Sequence, residues 1–171
     1  MTRSLFTMHE QAMTRPDTGA LTLGLLPPFE VSLNNQQSDV RGALSALLAG
    51  LGPLALDVEE AGTVELVMAE ALNNIVEHAY ADRRRKEAIH IRCKQLRDGL
   101  HLRIVDRGMA MPDGKTPIGM AQNIDVDAID MPEGGFGWFL IQDLAKDIRY
   151  QRVGHTNQLD LRLAVALHAE G

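Results

Sequence analysis

Three polar residues, Glu70, Asn74 and His78, interrupt a stretch of the chain that is otherwise strongly apolar. Their four-residue spacing places them on one face of an α-helix, one turn apart. Polar groups beside a core cost free energy unless a partner satisfies them, so the three could serve a binding site. The polar edge of an ordinary amphipathic helix gives the same pattern, and the three residues alone do not decide between the two.

A carboxylate, Asp106, ends an apolar strand pattern and enters the turn Asp106-Arg107-Gly108. In that position it can accept a hydrogen bond from an exocyclic amine such as that of adenine. Aspartate also caps ordinary turns, so this signal is weak when it is taken alone.

Glycines cluster in Gly134-Gly135-Phe136-Gly137, just before the apolar run that starts at Trp138. Free backbone N–H groups at a helix start, with no side chains over them, can bind phosphate. The cluster does not match the Walker pattern, and it does not follow a strand directly as a dinucleotide fingerprint does. A flexible loop ahead of a helix is the plainer interpretation.

The helix that carries Glu70 has the clearest local signals. Asp57 lies three residues before Glu60, which is the spacing of a capping box, and apolar residues then recur at helical intervals. We expect this helix to run to about Tyr80. The same periodicity predicts two more helices, over residues 40–51 with Ser38 or Asp39 as the cap, and over residues 139–148 after the glycines.

Alternating apolar and polar residues predict strands near 29–33, 89–93, 100–104, 148–153 and 158–167. Asp98-Gly99 favours a tight hairpin turn, and Gly154 to Asn157 is the predicted turn of the last hairpin. Hairpin connections predict a mixed, mostly antiparallel sheet with one covered face. The expected fold class is an α/β (α+β) two-layer sandwich with helices on one face of the sheet.

With 171 residues, 45% of them hydrophobic and 23% charged, the chain has the composition of a single soluble domain. We expect that domain to span 28–171, after an extension over 1–27 that is rich in turn formers. The net charge of −6 argues against a direct nucleic-acid or anionic-membrane surface. A single cysteine excludes an intrachain disulfide and suits a reducing cytoplasm. The sequence has no apolar run of membrane-spanning length, and its start does not read as a signal peptide.

In combination, the order and spacing of these groups resemble the GHKL ATPase superfamily, the ATP-binding fold of gyrase, MutL, heat-shock chaperone ATPases and histidine kinases. The shared pattern is Glu-x-x-x-Asn on a helix, Asp-x-Gly after a hairpin, Gly-Gly-x-Gly opening a helix and Thr156 in a late turn. Within the superfamily, residues 70–80 and 134–141 are most similar to anti-sigma factor serine/threonine protein kinases of the RsbW and SpoIIAB type. The resemblance covers about residues 29–165 and implies the histidine-kinase-like ATPase (Bergerat) fold.

The resemblance also implies a role for each residue of the pattern. Glu70 would be the general base, and Asn74 would bind Mg²⁺ through its side-chain oxygen. Asp106 would accept a hydrogen bond from the adenine amino group with support from Thr156, while Gly108 would let the backbone approach the base. The segment Gly134, Gly135, Phe136 and Gly137 would wrap the phosphates of ATP or ADP, under a lid formed by about residues 112–133.

Two positions depart from the family pattern. Ala110 stands where a second glycine is common, and Glu133 stands where some members have a basic residue. Charge that neutralises the phosphates must then come from Mg²⁺, from backbone N–H groups or from another residue such as Arg107 or Lys115. His78 matches the family, and the alternative for it is a hydrogen bond within the fold.

The activity that the resemblance implies is a cytoplasmic anti-sigma kinase. As a homodimer it would sequester a sigma factor, and it would phosphorylate a serine of an anti-anti-sigma (STAS-type) antagonist. One alternative is a histidine-kinase-type ATPase domain, but about 28 residues before the first strand are too few for a phosphoacceptor hairpin. The other is a nonenzymatic, nucleotide-gated binding module, which Ala110 and Glu133 favour.

Overall fold

The computed structural model of the chain describes residues 25–80, 86–114 and 135–167. It consists of a five-stranded sheet with three α-helices packed on one face. The strands are β1 Phe29–Asn34, β2 Ala88–Leu96, β3 Gly99–Asp106, β4 Ala145–Val153 and β5 Thr156–Leu163, and the helices are α1 Gln37–Gly50, α2 Val58–Asn74 and α3 Gly135–Leu144. In these residues no helix is long and apolar enough to cross a membrane. Most of the predicted extension, residues 1–24, lies outside the described ranges.

The sheet has the strand order β1-β2-β3-β5-β4, and each neighbouring pair is antiparallel. The predicted two-layer α+β fold is confirmed, and all the described strand pairs are antiparallel. The β2–β3 and β4–β5 hairpins account for two of these pairs, while α1 and α2 connect β1 to its partner β2.

The core lies between the sheet and the helices. Strand alternation directs one row of residues toward the helices, and these side chains are almost fully buried. The row includes Leu100, Leu102 and Ile104 of β3 and Leu159, Leu161 and Leu163 of β5, which join Val64, Val67, Met68, Ala71 and Leu72 of α2 in one cluster. Cys93 lies in the same core, where burial raises the pKa of its thiol to about 12 and keeps the sulfur protonated.

The predicted capping box at the start of α2 is confirmed. The Asp57 carboxylate accepts from the Glu60 N–H at 2.8 Å, and the Glu60 carboxylate accepts from the Asp57 N–H at 3.2 Å. After Asn74 the helix widens into a π-helical turn over Ile75–Ala79, so it reaches almost to Tyr80 as expected. Such π-turns are common at functional sites.

The predicted cap of α1 is wrong. The helix begins after Gln36, whose side chain makes no capping hydrogen bond. Ser38 and Asp39 therefore lie inside the first turn, and the Asp39 carboxylate accepts from the Asn34 side chain at 3.0 Å instead.

The second half of the chain also departs from the sequence predictions. Helix α3 ends at Leu144 and passes directly into β4, so Ile148 belongs to a strand rather than to the helix. The turn of the last hairpin consists of Gly154 and His155 alone, because Thr156 already pairs with Val153 in the ladder. Gly154 has a φ of 60°, a backbone conformation that glycine adopts without strain.

Candidate active site

The start of α3 lies directly against the polar face of α2. A Cβ atom at Gly137 would overlap Oε2 of Glu70 and would lie 3.3 Å from Nδ2 of Asn74. Only glycine lets the α3 backbone approach the two side chains this closely. The structure therefore brings together three of the predicted site residues, which come from two distant segments of the chain.

The side-chain amide of Asn74 is buried, with 8% of the residue exposed. In the described part of the chain its Nδ2 atom has no hydrogen-bond partner. A buried polar group left in this way costs about 1–3 kcal/mol, so within the described ranges this amide is open to a further partner. Rotating the amide by half a turn would offer an oxygen at the same place, and oxygen is the ligand that Mg²⁺ prefers. The residues present therefore fit the predicted ion.

Asp106 ends β3 on the inward face of the sheet, with only 4% of the residue exposed. Its Oδ1 atom accepts from the Gly108 N–H and from the Asn157 amide, both at 2.8 Å. Because both described bonds end on Oδ1, Oδ2 is the oxygen available to a ligand. Burial raises the pKa of this carboxyl, while hydrogen bonds from Asn157 and Gly108 and the charge of Arg152 act in the opposite direction.

The turn after Asp106 is held against the end of the α2 helix. The Met109 N–H donates to the Ala79 carbonyl at 2.7 Å, and the Arg107 N–H donates to the Tyr80 hydroxyl at 2.9 Å. A Cβ at Gly108 would lie 2.5 Å from the Ala79 oxygen, so glycine permits this approach. The element that carries Asn74 and the turn that carries Asp106 are thus joined. The close approach of Gly108 to a bound base stays a prediction.

Thr156 lies on the opposite face of the sheet from Asp106. Alternation along β5 directs Asn157 inward and Thr156 outward, where Thr156 lines a cavity of about 430 Å³ that His90, Asp106 and Arg107 line as well. Asn157 is paired directly opposite Asp106 and donates to it. Asn157 is therefore the side chain that bonds directly to Asp106, and the support of an adenine contact by Thr156 stays a prediction.

Other parts of the predicted site are described only in part. Gly135 opens α3, and Phe136 follows it in the helix, although its side chain is outside the description. Gly134, Lys115 and Glu133 lie outside the described residues, as does the predicted lid beyond Gly114. His78 is exposed in the π-helical turn, and its ring has no hydrogen bond within the described ranges.

The sequence analysis missed Asn157 and two residues of β4 that contact it, Tyr150 and Arg152. The Tyr150 hydroxyl and the Arg152 guanidinium donate to the Asn157 amide oxygen at 2.7 and 2.6 Å. The alternation of Ile148, Tyr150 and Arg152 was a usable signal, because it places all three on one face of a strand. Pairing that strand with the next one in the correct register would have placed Arg152 opposite Asn157.

Comparisons with known proteins agree with this architecture. The family described as histidine kinase-like ATPase domain matches residues 33–163. The chain is 30% identical over 123 residues to serine-protein kinase RsbW of Staphylococcus aureus, in strain bovine RF122 / ET3-1 and in strain JH9, and each match covers 68% of this chain and 73% of the relative.

A solved structure of low sequence identity has the same fold. The crystal structure of the RsbU and RsbW domains of Rv1364c from Mycobacterium tuberculosis matches with a TM-score of 0.56 at 18% identity. The match covers 81% of this chain and 32% of that chain, so this chain spans about a third of the longer protein. The chain therefore belongs to the histidine kinase-like ATPase family, in its branch of ATP-dependent serine-protein kinases of the RsbW type.

Proposed function

We propose that the chain uses Mg-ATP to phosphorylate a serine of an anti-anti-sigma protein of the STAS type, and that it sequesters a sigma factor in the same partner-switching system. One observation carries the catalytic part of this proposal. The Glu70 carboxylate, the Asn74 amide and the close backbone at Gly137 meet at one place, and Nδ2 of Asn74 has no hydrogen-bond partner among the described residues. A base, an oxygen ligand and a helix start that can bind phosphate are the parts that phosphoryl transfer needs.

We assign Glu70 as the group that accepts the proton of the attacking hydroxyl. The serine oxygen forms a bond to the γ-phosphorus, the bond from that phosphorus to the β–γ bridging oxygen breaks, and ADP leaves. The hydroxyl proton passes to the Glu70 carboxylate, which is half-buried beside Gly137. General-base catalysis of this kind contributes about 10²–10⁴ to a rate.

Asn74 would hold Mg²⁺ through its amide oxygen, and the ion would neutralise charge on the phosphates of the nucleotide. The described residues contain no cluster of three or more His, Cys, Asp or Glu side chains that could hold a metal. Water and phosphate oxygens would thus complete the coordination, as is common for magnesium sites. Backbone N–H groups at the start of α3, next to Gly137, are available to the same phosphates.

Replacing Asn74 with alanine should remove the Mg²⁺ dependence of ATP binding, because the substitution deletes the proposed ligand. Calorimetric titrations with Mg²⁺ and with EDTA measure that dependence. Asn73→Ala, a neighbouring change on the same helix, is the matched control and should leave the metal effect as it is in the unmodified protein. A metal effect of full size in Asn74→Ala would contradict the assignment.

Replacing Asp106 with asparagine should weaken ATP binding by about tenfold or more, since a hydrogen bond to a charged acceptor is worth about 1.5–3 kcal/mol. The fold should persist, because the substitution preserves the shape of the side chain. Calorimetry gives the affinity and circular dichroism reports the fold. Asp98→Asn, in an exposed turn of the same hairpin, should bind ATP normally. Unchanged affinity in Asp106→Asn would remove this residue from the adenine site.

The partners in this proposal are a sigma factor, a STAS-type antagonist and a second copy of the chain, in the cytoplasm. Membership of the RsbW branch supports the two protein partners. The net charge of −6 suits a basic surface on a partner protein. Sedimentation of the purified chain would test the homodimer, and a mass corresponding to one copy at micromolar concentration would contradict it.

The kinase itself is tested with radiolabelled ATP, Mg²⁺ and a candidate antagonist encoded next to this chain. We expect label on a serine of the antagonist and none after that serine is replaced by alanine. Tight ATP binding without any transfer would favour the nucleotide-gated binding module instead. No binding of ATP or ADP in the presence of the metal would contradict both functions.

A further inference from the structure

Asn157 is the centre of a buried hydrogen-bond network at the inward end of β5. Only 3% of the residue is exposed. Its Nδ2 group donates to Oδ1 of Asp106 at 2.8 Å and to the Met109 carbonyl at 3.0 Å. Its Oδ1 atom accepts from the Arg152 guanidinium at 2.6 Å and from the Tyr150 hydroxyl at 2.7 Å. The amide therefore uses both of its donors and both of its acceptor positions inside the fold.

The neighbours of Asn157 permit one orientation of its amide. If the amide were reversed, its oxygen would face the Asp106 carboxylate and the Met109 carbonyl, neither of which can donate a hydrogen bond. Its NH₂ group would then face the guanidinium of Arg152, which cannot accept. Asn157 is thus a fixed donor toward Asp106, and Arg152 and Tyr150 keep it fixed.

Because Asn157 is a fixed donor to Oδ1, it determines the orientation of the Asp106 carboxylate. The Gly108 N–H and the Asn157 amide both bond to Oδ1, so rotation of the carboxylate would break two hydrogen bonds at once. Oδ2 is left as the acceptor for a ligand amine. Asp106 alone, at the end of a strand, would have no such constraint on its side-chain rotation.

The same network holds the backbone that follows Asp106. The Arg152 guanidinium donates to the Gly108 carbonyl at 3.0 Å, and the Met111 N–H donates to the Tyr150 hydroxyl at 3.0 Å. The segment from Gly108 to Met111 is therefore tied to β4 by the two side chains that fix Asn157. One cluster sets both the direction of the carboxylate and the path of the adjoining backbone.

We propose that Asn157 is a positioning residue for base recognition, supported by Tyr150 and Arg152, and that these residues make Asp106 selective for a purine with an exocyclic amine at position 6. The proposal rests on the proposed function, in that the site must take an adenine nucleotide. It goes further by assigning the selectivity to a network of four side chains rather than to a single carboxylate. The resemblance assigns support of Asp106 to Thr156, whereas the direct hydrogen bond to Asp106 comes from the next residue, Asn157.

The test compares two nucleotides that differ only in the amine. Purine riboside triphosphate lacks the 6-amino group of ATP, so the ratio of the two dissociation constants isolates the contact to Asp106. For the unmodified protein we expect ATP to bind about 10–100-fold more tightly, the usual effect of one hydrogen bond to a charged group. In Asn157→Ala the ratio should fall below about threefold, mainly because ATP binds more weakly. A merely structural role would weaken both nucleotides equally and leave the ratio as it was.

Tyr150→Phe is a milder variant that decides the question if Asn157→Ala does not fold. It removes one donor to the Asn157 oxygen and keeps the ring in place, so the ratio should again fall, by at least about threefold. Gln151→Ala, on the exposed face of the same strand, is the control and should keep the ratio of the unmodified protein.

Three results overturn the inference, and they can be distinguished from one another. If the unmodified protein prefers ATP and Tyr150→Phe or a folded Asn157→Ala keeps the full preference, the positioning role is wrong and the proposed function stands. If the unmodified protein binds neither nucleotide, the proposed function fails and the inference fails with it. Equal binding of the two nucleotides by the unmodified protein would also overturn the inference, because no amine would then be recognised.

Discussion

Replacing Glu70 with alanine should reduce phosphoryl transfer by about 10²–10⁴ while ATP still binds. The loss corresponds to about 3–5 kcal/mol of transition-state stabilisation, which is the usual contribution of a general base. Binding should survive because the adenine contact that we propose at Asp106 and the phosphate contacts that we propose at the start of α3 do not involve this carboxylate. Label transfer to the antagonist at saturating ATP measures the rate, and calorimetry measures the affinity.

Two further variants make the Glu70 experiment specific. Glu70→Gln keeps the shape of the side chain but cannot take a proton, so it should lose as much transfer as the alanine variant. Glu65→Ala removes an exposed glutamate from the same helix and should transfer at the normal rate. Full transfer in Glu70→Ala would show that another group is the base, whereas an equal loss of ATP binding would make Glu70 a binding residue.

The elements that the sequence predicts well are those whose signals are local. The start of helix α2 is marked by the Asp57–Glu60 capping box, and its buried face is marked by the apolar residues that follow. The Asp98-Gly99 signal locates the β2–β3 hairpin to within one residue: the turn is Arg97 and Asp98, and Gly99, which pairs with Leu96 at the start of β3, has a φ of 124°. In both cases the residues that determine the structure are neighbours in the chain, so no tertiary information is needed.

Two features of the second half of the chain were not predicted, because they depend on contacts between distant residues. Leu144 and Ile148 are apolar residues at helical spacing. The chain from Ala145 onward nevertheless forms a strand, because it pairs with β5. The sequence analysis named Thr156, whereas the side chain that bonds directly to Asp106 is Asn157, and one position in a strand exchanges the two faces of the sheet. Neither residue type reveals the register, which is set by the ladder between β3 and β5.

The residues of the candidate site could be predicted from the sequence, but their arrangement in space could not. Glu70, Asn74 and Gly137 were identified from their types, spacing and resemblance to a family. These residues come together because of the way α3 packs on α2, and no local sequence pattern reveals that packing. That Nδ2 of Asn74 lacks a partner among the described residues is also a property of the folded state, because in the unfolded chain water satisfies this group.

Replacing Gly137 with alanine should reduce phosphoryl transfer by about 10² or more and leave the fold intact. The added methyl group would overlap Oε2 of Glu70, which is the far end of a flexible side chain, so the carboxylate moves rather than the helix. A displacement of about 1 Å at a reacting group costs about 10²-fold in rate, which sets the expected size of the effect. Transfer assays measure the rate, and thermal unfolding measured by circular dichroism reports the fold.

Gly62→Ala separates this steric effect from the general effect of alanine in a helix. Gly62 lies in α2, and nothing is within 4 Å of the position that its Cβ would occupy. The substitution should therefore stabilise the protein by about 0.4–1 kcal/mol and leave transfer unchanged. A Gly137→Ala protein that transfers phosphate at the normal rate would contradict the role of this close approach, because a carboxylate that tolerates the methyl group is not held where the reaction needs it. Loss of transfer in both variants would point instead to helix rigidity as the cause.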